Sequence, residues 1–224
     1  STATDSVQFR NQDPGTLNSS FLGQIPLDRS VGNSYRIQGV VTLTNGYTDD
    51  NNRVGLYLFG DTAVIPNEDE AGAIGLIFNT DDGSAGGRPG SNADDDISLQ
   101  VGIDAGLLNS TEVQRDGSTV PYAQDLFGTE ITLAAEITFI AGGGTNALIQ
   151  VDGFLTAGGV TTTVSMTNPV AAADYTGDYF GFVTRSRARN YTGPGGTPEG
   201  RSLPWVMEYR SFSITDASVI GLAG

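Results

Sequence analysis

Apolar and polar residues alternate along seven or more stretches of this chain, each closed by a Gly, Asn or Asp turn, with no convincing amphipathic helix between them. From Arg36 onward Ile37, Val41 and Leu43 are apolar while Arg36, Gln38, Thr42 and Thr44 are polar, and Ile97-Ser98-Leu99-Gln100-Val101 repeats the rhythm. Side chains two apart share one face of a strand, so each stretch has a side to bury and a side to wet. In the longest, Ile131, Leu133, Ala135, Ile137 and Phe139 form one set and Thr132, Ala134, Glu136 and Thr138 the other. Such a chain is all-β: two antiparallel sheets packed face to face as a β-sandwich. Its expected shared core contains Ile37, Val41, Leu56, Leu99, Ile137, Ile149 and Phe212.

A length of 224 residues suits one domain, because single β-sandwiches run to about 200–250 residues. The 31 glycines are spread as turn punctuation and no Pro/Ser linker divides the chain. At 38% hydrophobic residues, it can bury a real core. The expected organisation over 1–224 is an N-terminal strand near 6–10 and a long loop up to 34, a sandwich core over 35–215, and a C-terminal tail over 216–224. Strands are expected near 35–44, 54–59, 73–79, 97–103, 131–140, 147–155, 160–167, 178–186 and 205–215, with short helical turns near 105–108 and 171–175. Asp152-Gly153 and Gly158-Gly159 read as tight reversals.

The formal net charge is −15; all 11 basic residues are Arg, and there is no Lys, His or Cys. Histidine acid–base chemistry, Ser–His or Cys nucleophile systems and a His/Cys zinc site are therefore excluded within this chain. So acidic a surface disfavours nucleic acid and an anionic membrane face as partners. No apolar run approaches the roughly 18–20 residues that span a bilayer, so no membrane insertion is expected. The abundance of Asp, Thr, Gly and Asn, with Arg in place of Lys, is similar to secreted bacterial proteins, which places the chain outside the cell or on its surface after loss of a signal peptide.

A resemblance rests on three places: Tyr35-Arg-Ile-Gln-Gly-Val-Val-Thr-Leu followed by Val54-Gly-Leu-Tyr-Leu; Leu148-Ile-Gln-Val-Asp-Gly; and Tyr179-Phe-Gly-Phe-Val-Thr followed by Met207-Glu-Tyr-Arg-Ser-Phe-Ser-Ile. Over residues 35–215 this order of strand types resembles the concanavalin A-like lectin/glucanase superfamily, the jelly-roll sandwiches that include laminin-G-like modules. The resemblance implies a jelly-roll fold, glycan binding and a calcium site, with activity only weakly specified.

Candidate sites lie mostly in turns. Asp81, Asp82, Asp94, Asp95 and Asp96 fall within sixteen residues. Adjacent carboxylates with loop carbonyls suit Ca2+, a hard cation taking six to eight oxygen ligands, although the spacing fits no local calcium motif. Asp49-Asp50-Asn51-Asn52 is a second acidic loop. Arg185, Arg187 and Arg189 alternate after the 179–184 stretch and would share one face if the strand continued, either pairing with the protein's own acids or docking a carboxylated or sulfated polysaccharide. Tyr191 and Trp205 offer flat amphipathic rings to a sugar. No organic cofactor is implied.

Glycoside hydrolysis needs two carboxyl groups about 5–10 Å apart. Superfamily glucanases present them from one strand as Glu-x-Asp-x-Glu or Glu-x-Asp-x-x-Glu, absent here. Glu130 and Glu136 stand about 20 Å apart on an extended strand, and Glu136 reads as an outward surface residue. No catalytic residue is assigned. The chain reads first as a non-catalytic carbohydrate-binding or adhesion module supported by calcium, second as a structural subunit assembling through β-edges, and third as an unusual polysaccharide-active glycoside hydrolase.

Overall fold

The computed structural model describes residues 7–10, 17–45, 52–61, 73–80, 95–102, 114–120, 128–143, 146–186 and 206–216. They form thirteen strands: β1 (Val7–Arg10), β2 (Leu17–Gln24), β3 (Ser34–Asn45), β4 (Asn52–Gly60), β5 (Ala73–Thr80), β6 (Asp95–Gly102), β7 (Gln114–Val120), β8 (Glu130–Ala141), β9 (Ala147–Ala157), β10 (Val160–Ser165), β11 (Val170–Ala171), β12 (Tyr179–Ser186) and β13 (Val206–Asp216). Among the described residues a 3-10 turn, Ala172–Asp174, falls where a short helical turn was expected, and the other expected turn, near 105–108, lies outside them. Among the described residues no helix is long and apolar enough to cross a membrane.

The first sheet runs β1-β13-β3-β8-β9-β10, with β11 also paired to β9; the second runs β2-β12-β4-β5-β6-β7. Every pairing is antiparallel. The sheets pack over one core, and β10 lies against β6 and β7, closing one side of the sandwich.

Alternation sets the burial. Along β8 Ile131, Leu133, Ala135, Ile137 and Phe139 are all buried, while Thr132, Glu136 and Thr138 remain partly exposed. Six of the seven expected core residues are fully buried; Phe212 is half-buried, its ring edge-on to Phe182 at 5.5 Å. Each such aliphatic side chain contributes about 1.5–3 kcal/mol. Gly39 faces the same core, where a Cβ would collide with the Phe182 ring.

Three expectations need correction. Residues 17–24, assigned to a long loop, form β2 along β12; Leu-Asn-Ser-Ser-Phe-Leu-Gly-Gln lacks clean alternation, and ladder bonds to a neighbour rather than its own pattern make it a strand. β7 (Gln-Arg-Asp-Gly-Ser-Thr-Val) was not expected either, and it pairs with β6. Asp152-Gly153 is no turn but the middle of β9, where a Cβ on the buried Gly153 would strike Leu76 and Val164. The true reversal is Gly158-Gly159, with φ +56° and +81°, joining Ala157 to its register partner Val160. Two left-handed central residues match the right-handed twist of a two-residue hairpin.

Candidate functional site

Antiparallel order sorts the connections between two ends of the sandwich. β1, β3, β5, β7 and β12 finish, and β2, β4, β6, β8 and β13 begin, at the same end, as Arg10 opposite Val206, Val206 opposite Asn45, Asn52 opposite Thr80, Asp95 opposite Val120 and Leu17 opposite Ser186 establish. Connections 11–16, 46–51, 81–94, 121–127 and 187–205 therefore start and finish together. Two of them carry most of the residues singled out from the sequence: Asp81, Asp82 and Asp94 in one, Arg187, Arg189, Tyr191 and Trp205 in the other, all outside the described residues.

Asp95, Asp96 and Arg185 are described, and they sit in strands rather than loops. Asp95 and Asp96 open β6 opposite Val120 and Thr119 of β7, and Arg185 closes β12. Successive pairings place Asn18, Arg185, Arg53, Asn79, Asp96 and Thr119 in one row across all six strands of the second sheet. Five inter-strand steps of about 4.8 Å make that row about 24 Å long. The alternate positions Val54, Phe78 and Ile97 belong to the shared core, so the row lies on the sheet's outer face. Every member has hydrogen-bonding capacity.

Behind it comes the row Ser20, Val183, Gly55, Ile77, Ser98 and Gly117, and then Leu22, Gly181, Tyr57, Gly75, Gln100 and Arg115. Tyr57 and Ile77 are fully buried yet stand apart from the shared core, so the middle of this outer face has an apolar patch of its own. Gly55 is needed there, because a Cβ would meet the Leu76 carbonyl and the Ile77 side chain. Arg53, Asn18 and Asn79 were missed from the sequence because nothing local announces which strands become neighbours.

The outer face of the first sheet closes its polar groups on themselves. Arg36 donates to Glu136 at 2.7 Å, and its guanidinium sits 5.2 Å from the centroid of the Phe154 ring. Ser34 and Thr138 share a hydrogen bond of 3.1 Å, Thr156 and Thr161 one of 2.8 Å, and the Gln150 amide donates to the Met166 carbonyl at 3.1 Å. Glu136 is thus a surface residue with a structural partner. Thr42 is the exception: it is buried, its hydroxyl has no hydrogen-bond partner, and its register neighbours are Glu130 and Glu208. Among the described residues no group of three or more carboxylates gathers to hold a metal.

The opposite end is a clamp. Arg29 donates to the carbonyls of Tyr175, Thr176 and Gly177 and to the Asp178 carboxylate, and its guanidinium lies 5.4 Å from the centroid of the Phe59 ring. Phe59 has φ +63°, a left-handed conformation that costs a bulky residue energy. Packing holds it there, edge-on to Phe180 at 5.2 Å and to Phe139 at 6.5 Å. Tyr57 and Tyr175 are both buried.

No family model matches the chain, and no curated protein is similar to it in sequence. Solved structures are similar in fold. A legume lectin-like domain from Entamoeba histolytica is 14% identical with a TM-score of 0.54, over 95% of this chain and 84% of that one. The Lotus tetragonolobus seed lectin is 14% identical with a TM-score of 0.49 (97% and 95%), and the PL-14 alginate lyase from Aplysia kurodai is 10% identical with a TM-score of 0.49 (94% and 82%). The architecture, two antiparallel sheets of seven and six strands among the described residues, is similar in fold to that lectin-like domain.

Proposed function

We propose that this chain is a non-catalytic carbohydrate-binding or adhesion module, acting outside the cell or on its surface, whose binding site lies at the end of the sandwich where β5 and β12 finish and β6 and β13 begin. The observation that carries the reading is the six-strand row Asn18-Arg185-Arg53-Asn79-Asp96-Thr119. Sugars present hydroxyls in two directions at once, and amide, guanidinium and carboxylate groups at fixed spacing on a rigid sheet answer them without ordering a loop. Tyr191 and Trp205 belong to the connection leaving the same end, and they would supply the stacking faces. The lectin-like domain among the similar folds agrees with the proposal.

Calcium is part of the same proposal, held by Asp81, Asp82, Asp94, Asp95 and Asp96. Melting after chelation, with calcium and magnesium compared at equal ionic strength, tests it: a rise with calcium alone, lost in Asp94→Asn/Asp96→Asn, is expected, and equal shifts for both ions would remove calcium from the reading.

A glycan array tests the binding. The parent chain should retain a defined glycan class, and Asn79→Ala with Asp96→Ala should lose it while melting, in the absence of calcium, as the parent does. Binding to no glycan would end the proposal. A second reading, self-assembly, draws on β1 and the eight-residue β2, each of which ends its sheet among the described residues. Sedimentation of the purified chain as a monomer up to high concentration would discard it.

A further inference from the structure

We infer that the outer face of the first sheet is a second glycan-binding surface, which takes an uncharged, extended polysaccharide chain laid across its strands over the Phe154 ring; it does not depend on the end of the sandwich proposed above. Register places Ser213, Gln38, Ala134, Phe154 and Thr163 in one row across β13, β3, β8, β9 and β10. Their strand neighbours Ile37, Leu133, Ala135, Leu155 and Val164 belong to the shared core, so the row faces outward. Ser213 and Thr163 are exposed, Gln38 and Phe154 are partly exposed, and only Ala134, a methyl between two longer side chains, is buried.

Phe154 is the residue of this row that alternation does not account for. The outward positions on either side of it along β9 are Asp152 and Thr156, and its register partner on β10 is Thr163, all of them polar. The ring stands outside the shared core and keeps part of its surface in water. Arg36 fixes it there: the guanidinium lies 5.2 Å from the ring centroid and donates to Glu136 at 2.7 Å and to the Gln38 Oε1 at 3.4 Å. A ring already held in one place loses little further freedom when the C–H face of a sugar stacks on it.

Hydroxyl and amide groups surround the ring. Thr132, Thr156 and Thr161 form the adjacent row, and the 2.8 Å bond between Thr156 and Thr161 leaves each oxygen able to bond again. The Gln38 amide uses only its oxygen among the described residues, so its two N–H donors serve a ligand. Charge then selects the ligand. Glu136 satisfies Arg36, while Asp152 has Glu136 and Ser165 as its register partners and would repel an anionic chain. A sugar of an extended β-linked chain advances by close to the inter-strand spacing of about 4.8 Å, so successive sugars meet successive strands. A second copy of this chain fits less well: five strands by three alternate rows cover about 24 by 20 Å, roughly 500 Å2, against about 800 Å2 from each partner of a standard interface, and the face lacks an apolar centre.

The test is calorimetric titration with cellohexaose, xylohexaose and mannohexaose, and with a mannuronate hexamer as a carboxylated counterpart, in the parent and in a chain carrying Asn79→Ala and Asp96→Ala to silence the end proposed above. Both chains should bind at least one neutral probe and not the anionic one. In the silenced chain Phe154→Leu, which keeps an apolar side chain beside Arg36 and loses the ring, should weaken binding by about 10-fold or more, Phe154→Tyr should hold it within about threefold, and Gln38→Ala should lower it by about threefold to 10-fold. Melting curves without calcium confirm that the variants fold; if Phe154→Leu does not, Thr163→Arg at the exposed end of the row takes its place and should block binding. No binding of any neutral probe by the silenced chain, binding unchanged in Phe154→Leu and Gln38→Ala, or equal binding of the mannuronate hexamer would each overturn the inference. None of these results bears on the end of the sandwich, whose own loss would show as equal binding by the parent and the silenced chain.

Discussion

Arg29 shows how much of this fold hangs on single side chains that no pattern advertises. Its guanidinium ties the segment Tyr175–Asp178 to the Phe59 corner, serving three backbone carbonyls and one carboxylate. Without it those carbonyls lose their donor beside a strained residue. Arg29→Ala should therefore lower stability by about 2–3 kcal/mol, read as a shifted urea midpoint with unchanged slope; a loss within a few tenths would show that water replaces the guanidinium. Beside it, burial and then the Asp174 carboxylate push the Tyr175 phenol above its ordinary value. An acid whose folded pKa is raised keeps its full stabilising contribution below the unfolded pKa and loses it as pH rises through the folded one. Alkaline melting between about pH 9 and 11 should thus fall less steeply in Tyr175→Phe than in the parent. At this scale the sequence was half legible: Ile137 is buried because alternation says so, whereas Arg29, 146 residues from Tyr175, carries no local sign of its partner.

At the scale of the element, the two glycine pairs teach opposite lessons. Gly158-Gly159 reverses the chain in left-handed geometry, so Gly159→Val should cost about 1–2 kcal/mol by denaturation while Gly158→Asn is nearly neutral. Equal tolerance at both positions would contradict the turn geometry. Asp152-Gly153 carries the same kind of turn signal and is a strand interior, because Leu76 and Val164 from facing and neighbouring strands occupy the space of its missing Cβ. β8 was legible from its own residues, since its two faces meet different surroundings. β2 and β7 were not, since an edge strand is stabilised by the backbone beside it and need not alternate.

Over the whole molecule, the chain ends are stitched to distant strands: β1 to β13, β2 to β12 and β13 to β3. Such long-range pairing must pay loop-closure entropy before contacts repay it, and folding should be correspondingly slow. Native-state hydrogen exchange should find the longest protection in β3, β8, β9, β4 and β5, inside the sheets, and the earliest loss in the edge strands β1 and β2; uniform protection throughout would show instead that the edges are covered by a partner. The sequence by itself determined the all-β class, the two layers, most strands and nearly all of the core, because a period of two decides burial locally. It also placed Arg185 and the acidic segments among the residues of interest. Only the tertiary structure decided that those segments leave one end of the sandwich, and that Arg185 stands beside Arg53 with Asn18 and Asn79 on either side. That choice belongs to strand order and register, which arise from how two sheets bury one common core and are written in no single segment of the chain.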